Sequence, residues 1–317
     1  DLGYDVAALS GMWSWQASSA FALTTAFRYD HLSLSREGSL PAFFPFSNSD
    51  YDREFGEWSD NLGAVLRFEN GDSLRLSGAR GVGLPSLLDY GSEVVVPVPI
   101  MPGMLLIVAG DPATLPVIVH NVEAGYDRPL ADIGARLRFS VFWQKNEDLR
   151  AFASREQILS LAPFVRALLP AQIGASEMHG FEASLEGERG SWRWDLRYSY
   201  REIDDALTYP VAASQMDFQS SSPDHVLTAG LGWSGARFEW NADLRYLSDT
   251  TQYGRGADLS GAYDVEAHVL VNARALWRAS ESASIELSGR NLLDDRTQGP
   301  GLAPLERSFY VTARKLF

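Results

Sequence analysis

Residues 192–201 read Trp-Arg-Trp-Asp-Leu-Arg-Tyr-Ser-Tyr-Arg. Trp192, Trp194, Leu196, Tyr198 and Tyr200 alternate with Arg193, Asp195, Arg197, Ser199 and Arg201. Successive side chains of a strand point to opposite faces, so this run carries rings and Leu on one face and charge on the other. A helix would scatter the same residues around its circumference. The pattern recurs in Phe238, Trp240, Ala242, Leu244 and Tyr246, in Ala135, Leu137, Phe139, Val141 and Trp143, and in Val265 to Ala275. The chain is β.

Outward from that stretch, period-two runs predict thirteen strands at roughly 3–15, 19–32, 60–69, 73–81, 119–129, 133–146, 178–187, 191–203, 224–233, 237–249, 263–277, 283–293 and 307–317. Their connections alternate strictly between short and long. A soluble sandwich has no reason to lengthen every second loop, whereas transmembrane barrels have short turns at one end and long loops at the other. The tryptophans give an independent sign. Trp13, Trp15, Trp192, Trp194, Trp233, Trp240 and Trp277 cluster near short turns on the apolar face, while Tyr29, Trp143, Tyr198, Tyr200 and Tyr246 lie toward the long loops. Two aromatic bands flanking Leu, Val and Ala match the two interfaces of a bilayer. Charge is nearly absent from the middle of that face, where it would cost about 2–4 kcal/mol.

Composition agrees. The 317 residues are 45% hydrophobic, contain no cysteine and carry a formal charge of −14. Disulfide scaffolds and thiol chemistry are excluded, and the acidic surplus argues against a nucleic-acid partner. The most apolar stretch, Val94 to Ala109, contains Pro97, Pro99, Pro102 and Gly103 and cannot be a spanning helix. The sequence opens at Asp1-Leu2-Gly3 with neither Met nor a basic-then-apolar stretch, as expected of a processed product or a fragment. With Phe317 at the short-turn end, thirteen strands would start at the long-loop end, so parity predicts that upstream strands belong to the same barrel. The outward row Phe309, Val311, Phe317 has the form of a barrel assembly signal, with Lys315 as its one polar step.

Several segments carry a resemblance. Gly289-Arg290-Asn291-Leu292-Leu293-Asp294-Asp295, followed by Glu306 to Val311, looks like the closing strands of TonB-dependent outer-membrane receptors. Leu76 to Gly81 running into Leu84-Pro85-Ser86-Leu87-Leu88, then Asn121 to Tyr126 and Gly180 to Ala183, resemble mid-barrel strands of the same family. The resemblance implies that residues 1–317 are the C-terminal portion of a barrel of about 22 strands with a plugged lumen. It implies a Gram-negative outer-membrane location and, as partners, the lipid bilayer, the TonB protein and a plug domain outside this chain. It also implies TonB-coupled uptake of a scarce nutrient, with a ferric siderophore foremost. The rival reading is a passive porin-type channel; an autotransporter-type translocator and a rim-active enzyme are further alternatives.

Catalytic templates are absent: no G-x-S-x-G, H-E-x-x-H, P-loop or S-x-x-K occurs. The chain is expected not to be an enzyme and to need no cofactor. His31, His120, His179 and His225 fall at the long-loop ends of strands, which suits a wet rim better than a metal or haem site; His268 is expected in the lumen. Asn48 to Glu54 is acidic but lacks calcium-loop spacing. Phe43, Phe44, Phe46 and Tyr51 form an aromatic group able to stack on an aryl-bearing ligand, and are the candidate ligand-binding residues. Two loops, 94–119 and 156–169, are too apolar to lie free in water; the second has the spacing of a short amphipathic helix. They are expected to pack on each other over the mouth, or to meet an apolar ligand or partner.

Overall fold

The computed structural model describes residues 1–40, 43–97, 103–152, 158–208, 217–253, 262–294 and 305–315. Its strands are β1 (Leu2–Gln16), β2 (Phe21–Arg36), β3 (Arg53–Arg67), β4 (Ser73–Gly83), β5 (Glu93–Pro97), β6 (Leu105–Ala109), β7 (Val117–Leu130), β8 (Ala135–Phe152), β9 (Ile158–Ala162) and β10 (Val165–Leu168). They continue as β11 (Pro170–Arg189), β12 (Trp192–Leu207), β13 (His225–Ser234), β14 (Phe238–Leu247), β15 (Thr250–Tyr253), β16 (Ala262–Val265), β17 (His268–Arg278), β18 (Ala283–Arg290) and β19 (Ser308–Lys315). Thirteen of them form one sheet in the order β1-β2-β3-β4-β7-β8-β11-β12-β13-β14-β17-β18-β19, every neighbouring pair antiparallel. This is part of a transmembrane β-barrel with the thirteen strands the alternation predicts, except that the run expected at 263–277 is divided: Ala262–Val265 pairs with β15 in a separate hairpin and the barrel strand begins at His268.

Register fixes the faces. Leu185, Leu196, Ala229, Leu244 and Val271 lie side by side across five strands and form one outward row. Two outward rows nearer the short turns, beyond Trp194, Leu231, Ala242 and Ala273, stand Trp192, Trp233, Trp240 and Ala275; the rings of Trp192 and Trp240 meet edge-on at 5.9 Å. At the other border Tyr29 pairs with Trp58, and Val122 with Trp143. Outward Leu9 is 77% exposed and Val311 72%. A surface this apolar fits hydrocarbon rather than water.

The opposite face holds ions. Asp127 pairs with Arg75 at 2.8 Å and with Arg138 at 3.5 Å; Arg138 reaches Glu186 at 2.8 Å, and Glu186 meets Arg197 at 3.8 Å. Arg274 joins Glu239 to Glu286, and Arg278 also reaches Glu239. A one-residue register slip would put these charges into the bilayer, so the alternation also locks the pairing. His268 shares the lumenal face with Asn272.

The short connections use glycine where the turn demands it. Gly190, at φ 61°, begins the two-residue turn between β11 and β12, a conformation that costs glycine nothing. Gly71, at φ 88°, supplies the left-handed position late in the longer turn between β3 and β4, where its N–H donates to the Phe68 carbonyl at 3.0 Å.

Two expectations are corrected. Several strands run farther into the long-loop end than the alternation suggests: β3 begins at Arg53 and β11 at Pro170. Apolar–polar alternation fades there because neither face meets hydrocarbon. Within loop 156–169, the residues expected as a helix instead form the hairpin β9–β10. Pro163 presets φ at the first turn position and Phe164 adopts φ 66° at the next, which breaks any helical run.

Candidate ligand-binding mouth

Large buried side chains gather at the long-loop end rather than midway along the barrel. Lumenal Leu32 and Leu34 of β2 are met from above by Tyr51, on the 3-10 turn Asn48–Tyr51, and by Tyr90, on the helix Leu87–Gly91. All four are almost wholly buried, and Leu2, Tyr4, Phe46, Phe55 and Leu84 pack around them. Two loops thus fold inward and seat aromatic rings in what would otherwise be an aqueous mouth. The helix is started by Ser86, whose hydroxyl accepts from the Asp89 N–H while the Asp89 carboxylate accepts from the Ser86 N–H.

A second cluster adjoins the first where the rings of Phe44 and Phe46 meet edge-on at 6.3 Å. β5, β6, β10 and β9 form a separate four-stranded sheet. Its centre is the parallel pairing of β6 with β10, Ile107 opposite Ala167, which joins the two apolar loops. Ile107, Ala109, Val165 and Ala167 are buried there, with Phe44, Leu161, Ala162 and Leu169 against them. The two loops pack on each other, as one of the two expectations has it. The shared sheet buries part of the loops' apolar character, while Val94, Val95 and Val96 of β5 and Leu105 and Leu159 stay exposed.

Arginines of the barrel rim fasten these loops. The Arg36 guanidinium lies 5.3 Å from the ring centres of both Phe44 and Tyr51 and pairs with Glu93 at 2.8 Å. Arg53 donates to the Pro112 carbonyl. Arg150 of β8 reaches Asp89 at 3.3 Å. Burial pushes the hydroxyl pKa of Tyr51 up, although the Arg36 guanidinium beside it, out of hydrogen-bonding alignment, opposes the shift. Burial drives that of Tyr90 far above the ordinary phenol range, and its hydroxyl has no hydrogen-bond partner among the described residues. The Asp50 carboxylate accepts from both the N–H and hydroxyl of Ser47, which holds it below the usual carboxylate range.

The candidate aromatics are divided by this packing. Tyr51 is fully buried, Phe46 packs on the first cluster and Phe44 on the second, while Phe43, at φ 66°, is 58% exposed. Phe309 and Val311 stand on the outward face of β19; Phe317 lies outside the described residues. The rim histidines are not brought together. His31 meets Glu54 at 3.9 Å, His120 meets Glu147 at 3.6 Å, His179 meets Glu202 at 3.4 Å, and His225 contacts the Tyr198 hydroxyl at 2.7 Å. They sit on four separate strands, and among the described residues no group of three or more His, Asp or Glu is placed to hold a metal. Arg36, Arg53, Arg150 and Tyr90 escape the sequence reading; the available signal was inward parity of arginines at strand ends beyond the aromatic band.

A family model described as TonB dependent receptor-like, β-barrel, matches residues 1–292. The chain belongs to the TonB-dependent receptor β-barrel family. Among solved structures, the FrpB iron transporter from Neisseria meningitidis is similar at 16% identity and a TM-score of 0.66, over 98% of this chain and 45% of that one. The siderophore receptor PirA from Acinetobacter baumannii gives 14% identity and a TM-score of 0.69, over 99% and 46%. The copper transporter OprC gives 12% and 0.68, over 100% and 48%. At these identities the likeness concerns the fold. The chain spans slightly less than half the length of these TonB-dependent relatives. No protein of curated function matches the sequence. The family is one of transporters and receptors, and its barrels stand in the outer membrane.

Proposed function

We propose that this barrel serves a nutrient-uptake receptor of the Gram-negative outer membrane, which captures a ferric siderophore at the long-loop mouth and moves it inward with TonB and a plug domain as partners. The observation that carries the reading is the mouth itself. On a barrel of this family, two apolar loops are joined in one sheet that adjoins an aromatic cluster, a surface suited to holding an apolar or aryl-bearing solute. The likeness to FrpB, an iron transporter, and to PirA, a siderophore receptor, supports iron as the cargo, while the likeness to OprC, a copper transporter, leaves copper as a cargo of the same fold. Phe43 offers an exposed ring to an aryl-bearing chelate, with Phe44, Phe46 and Tyr51 packed behind it. Phe309, Val311 and Phe317 form the row read by the barrel-assembly machinery, and residues 1–317 act as a single barrel unit.

Growth of a deletion strain on single iron sources tests the reading. Loss of growth on one class of ferric siderophore, restored by the intact gene, is the expected result. Unimpaired growth on every siderophore tested overturns iron uptake. Steady single-channel conductance through the purified protein would favour the porin-type alternative.

A further inference from the structure

β5 and β9 are the two edges of the small sheet at the mouth, and among the described residues neither has a second neighbour. One row of side chains crosses all four strands. Val95 of β5 stands opposite Ile107 of β6, Ile107 beside Ala167 of β10, and Ala167 opposite Leu159 of β9. The middle two are 3% and 0% exposed, yet Val95 is 47% exposed and Leu159 45%. The apolar face is complete at its centre and unfinished at both edges.

The backbone of β5 is unfinished too. Gly110 N–H donates to the Ser92 carbonyl at 2.8 Å, and these two residues continue the register in which Glu93 faces Ala109. Antiparallel ladders exchange such bonds at every second residue. Val94 and Val96 thus turn N–H and C=O toward β6, and those of Glu93 and Val95 point to the open edge. Edge strands are ordinarily blunted by charge, Pro or a bulge. β5 has Glu93 at its start, already paired with Arg36, and Pro97 at its end, with three exposed valines between. Free N–H and C=O groups beside an exposed apolar side chain are a template for adding a strand. The loop also supplies a charge preference: from Leu87 to Pro116 it has Asp89, Glu93 and Asp111 but no Lys or Arg.

We propose that the open edge of β5 docks an extended polypeptide segment from outside the cell, which adds to the mouth sheet as a further strand. Its backbone pairs with Glu93 and Val95, and its apolar side chains lengthen the row that ends at Val95. Lys or Arg at its flanks meets the acidic loop. Pro97, which has no N–H, keeps the ladder short. The surface is distinct from the aromatic group assigned to the chelate, so the inference stands whether or not the cargo is a ferric siderophore.

Amide exchange read residue by residue on the purified full-length receptor in detergent micelles tests this. In the free protein the Val94 and Val96 N–H groups should exchange slowly and that of Val95 fast. The peptide acetyl-Lys-Val-Thr-Val-Thr-Val-Lys-amide should protect the Val95 N–H, and a copy N-methylated at every Val and Thr should leave it fast. Binding of the same peptide with fluorescein in place of the acetyl group is followed by anisotropy. It should weaken about tenfold in Val95→Thr and stay within about twofold in Val94→Thr, whose side chain lies on the other face. Equal binding of the methylated copy means apolar capture without a ladder and overturns strand addition. A Val95 N–H that stays fast with peptide bound overturns it too, as does the absence of saturable binding. A Val95 N–H already slow in the free protein also sinks the proposal: in a monomer the chain covers its own edge, and in a dimer the edge belongs to a second copy.

Discussion

Gly110 and Tyr90 are in direct backbone contact: a Cβ on Gly110 would lie 2.3 Å from the Tyr90 carbonyl carbon. The chain after β6 closes on the helix Leu87–Gly91 at that point, and only glycine permits the approach. Gly110→Ala is expected to cost about 1–3 kcal/mol as overpacking and to open this loop to protease. Gly63→Ala, where a Cβ meets nothing within 4 Å, is the control and should leave protease resistance unchanged. Limited proteolysis alongside urea titration of the lipid-reconstituted protein distinguishes them.

The two faces of β8 should respond oppositely to charge. Val141 is outward and 44% exposed; Ser140 lines a lumenal groove with Arg138, Glu123 and Glu182. Val141→Arg is expected to destabilise the barrel by about 2–4 kcal/mol. Ser140→Arg, with carboxylates in the same groove, should stay within roughly 0.5 kcal/mol. Folding into lipid vesicles under urea measures both, and equal costs would contradict the assignment of faces.

Tyr90 allows packing and hydrogen bonding to be separated. Its ring is wholly buried while its hydroxyl finds no hydrogen-bond partner among the described residues. Tyr90→Ala should cost about 3–5 kcal/mol through the cavity left behind. Tyr90→Phe should be neutral or stabilising by about 1 kcal/mol, because an unsatisfied buried hydroxyl is removed. Thermal or urea unfolding of the two variants gives the comparison.

Acid should loosen the turn that carries Tyr51. The Asp50 pKa is lowered by its bonds from Ser47, so its contribution is present above the ordinary carboxylate value of 3.8. That contribution is lost as pH falls below that value through the depressed folded one. Amide exchange at residues 48–51 should therefore accelerate below about pH 4. Asp50→Asn should show the faster exchange at neutral pH and little further change in acid.

Phe43→Ala is expected to leave the unfolding midpoint unchanged and to weaken capture of an aryl-bearing ferric chelate several-fold, read by tryptophan quenching. Phe46→Ala should lower the midpoint as well, since that ring supports the buried cluster.

How much was legible follows the range of the interactions involved. The turn at Gly190 and the faces of β12 are written in neighbouring residues, because a strand reports its two solvents every second position. Loop 156–169 misled for the same reason. Its apolar spacing fits a helix locally, but β10 finds its partner in β6, whose Ile107 stands opposite Ala167. The aromatic group was visible as a group. That Tyr51 and Phe46 face inward while Phe43 faces out depends on Leu32, Leu34 and Tyr90, which come from other elements.

The sequence by itself therefore determined the thirteen-strand sheet, its register parity and which side meets hydrocarbon, since each follows from alternation under two solvents. Only the tertiary structure decided the mouth. Arg36 and Glu93 are 57 residues apart and Arg150 and Asp89 are 61. No local period records pairings over such distances; they exist only once the barrel has set the strand ends side by side.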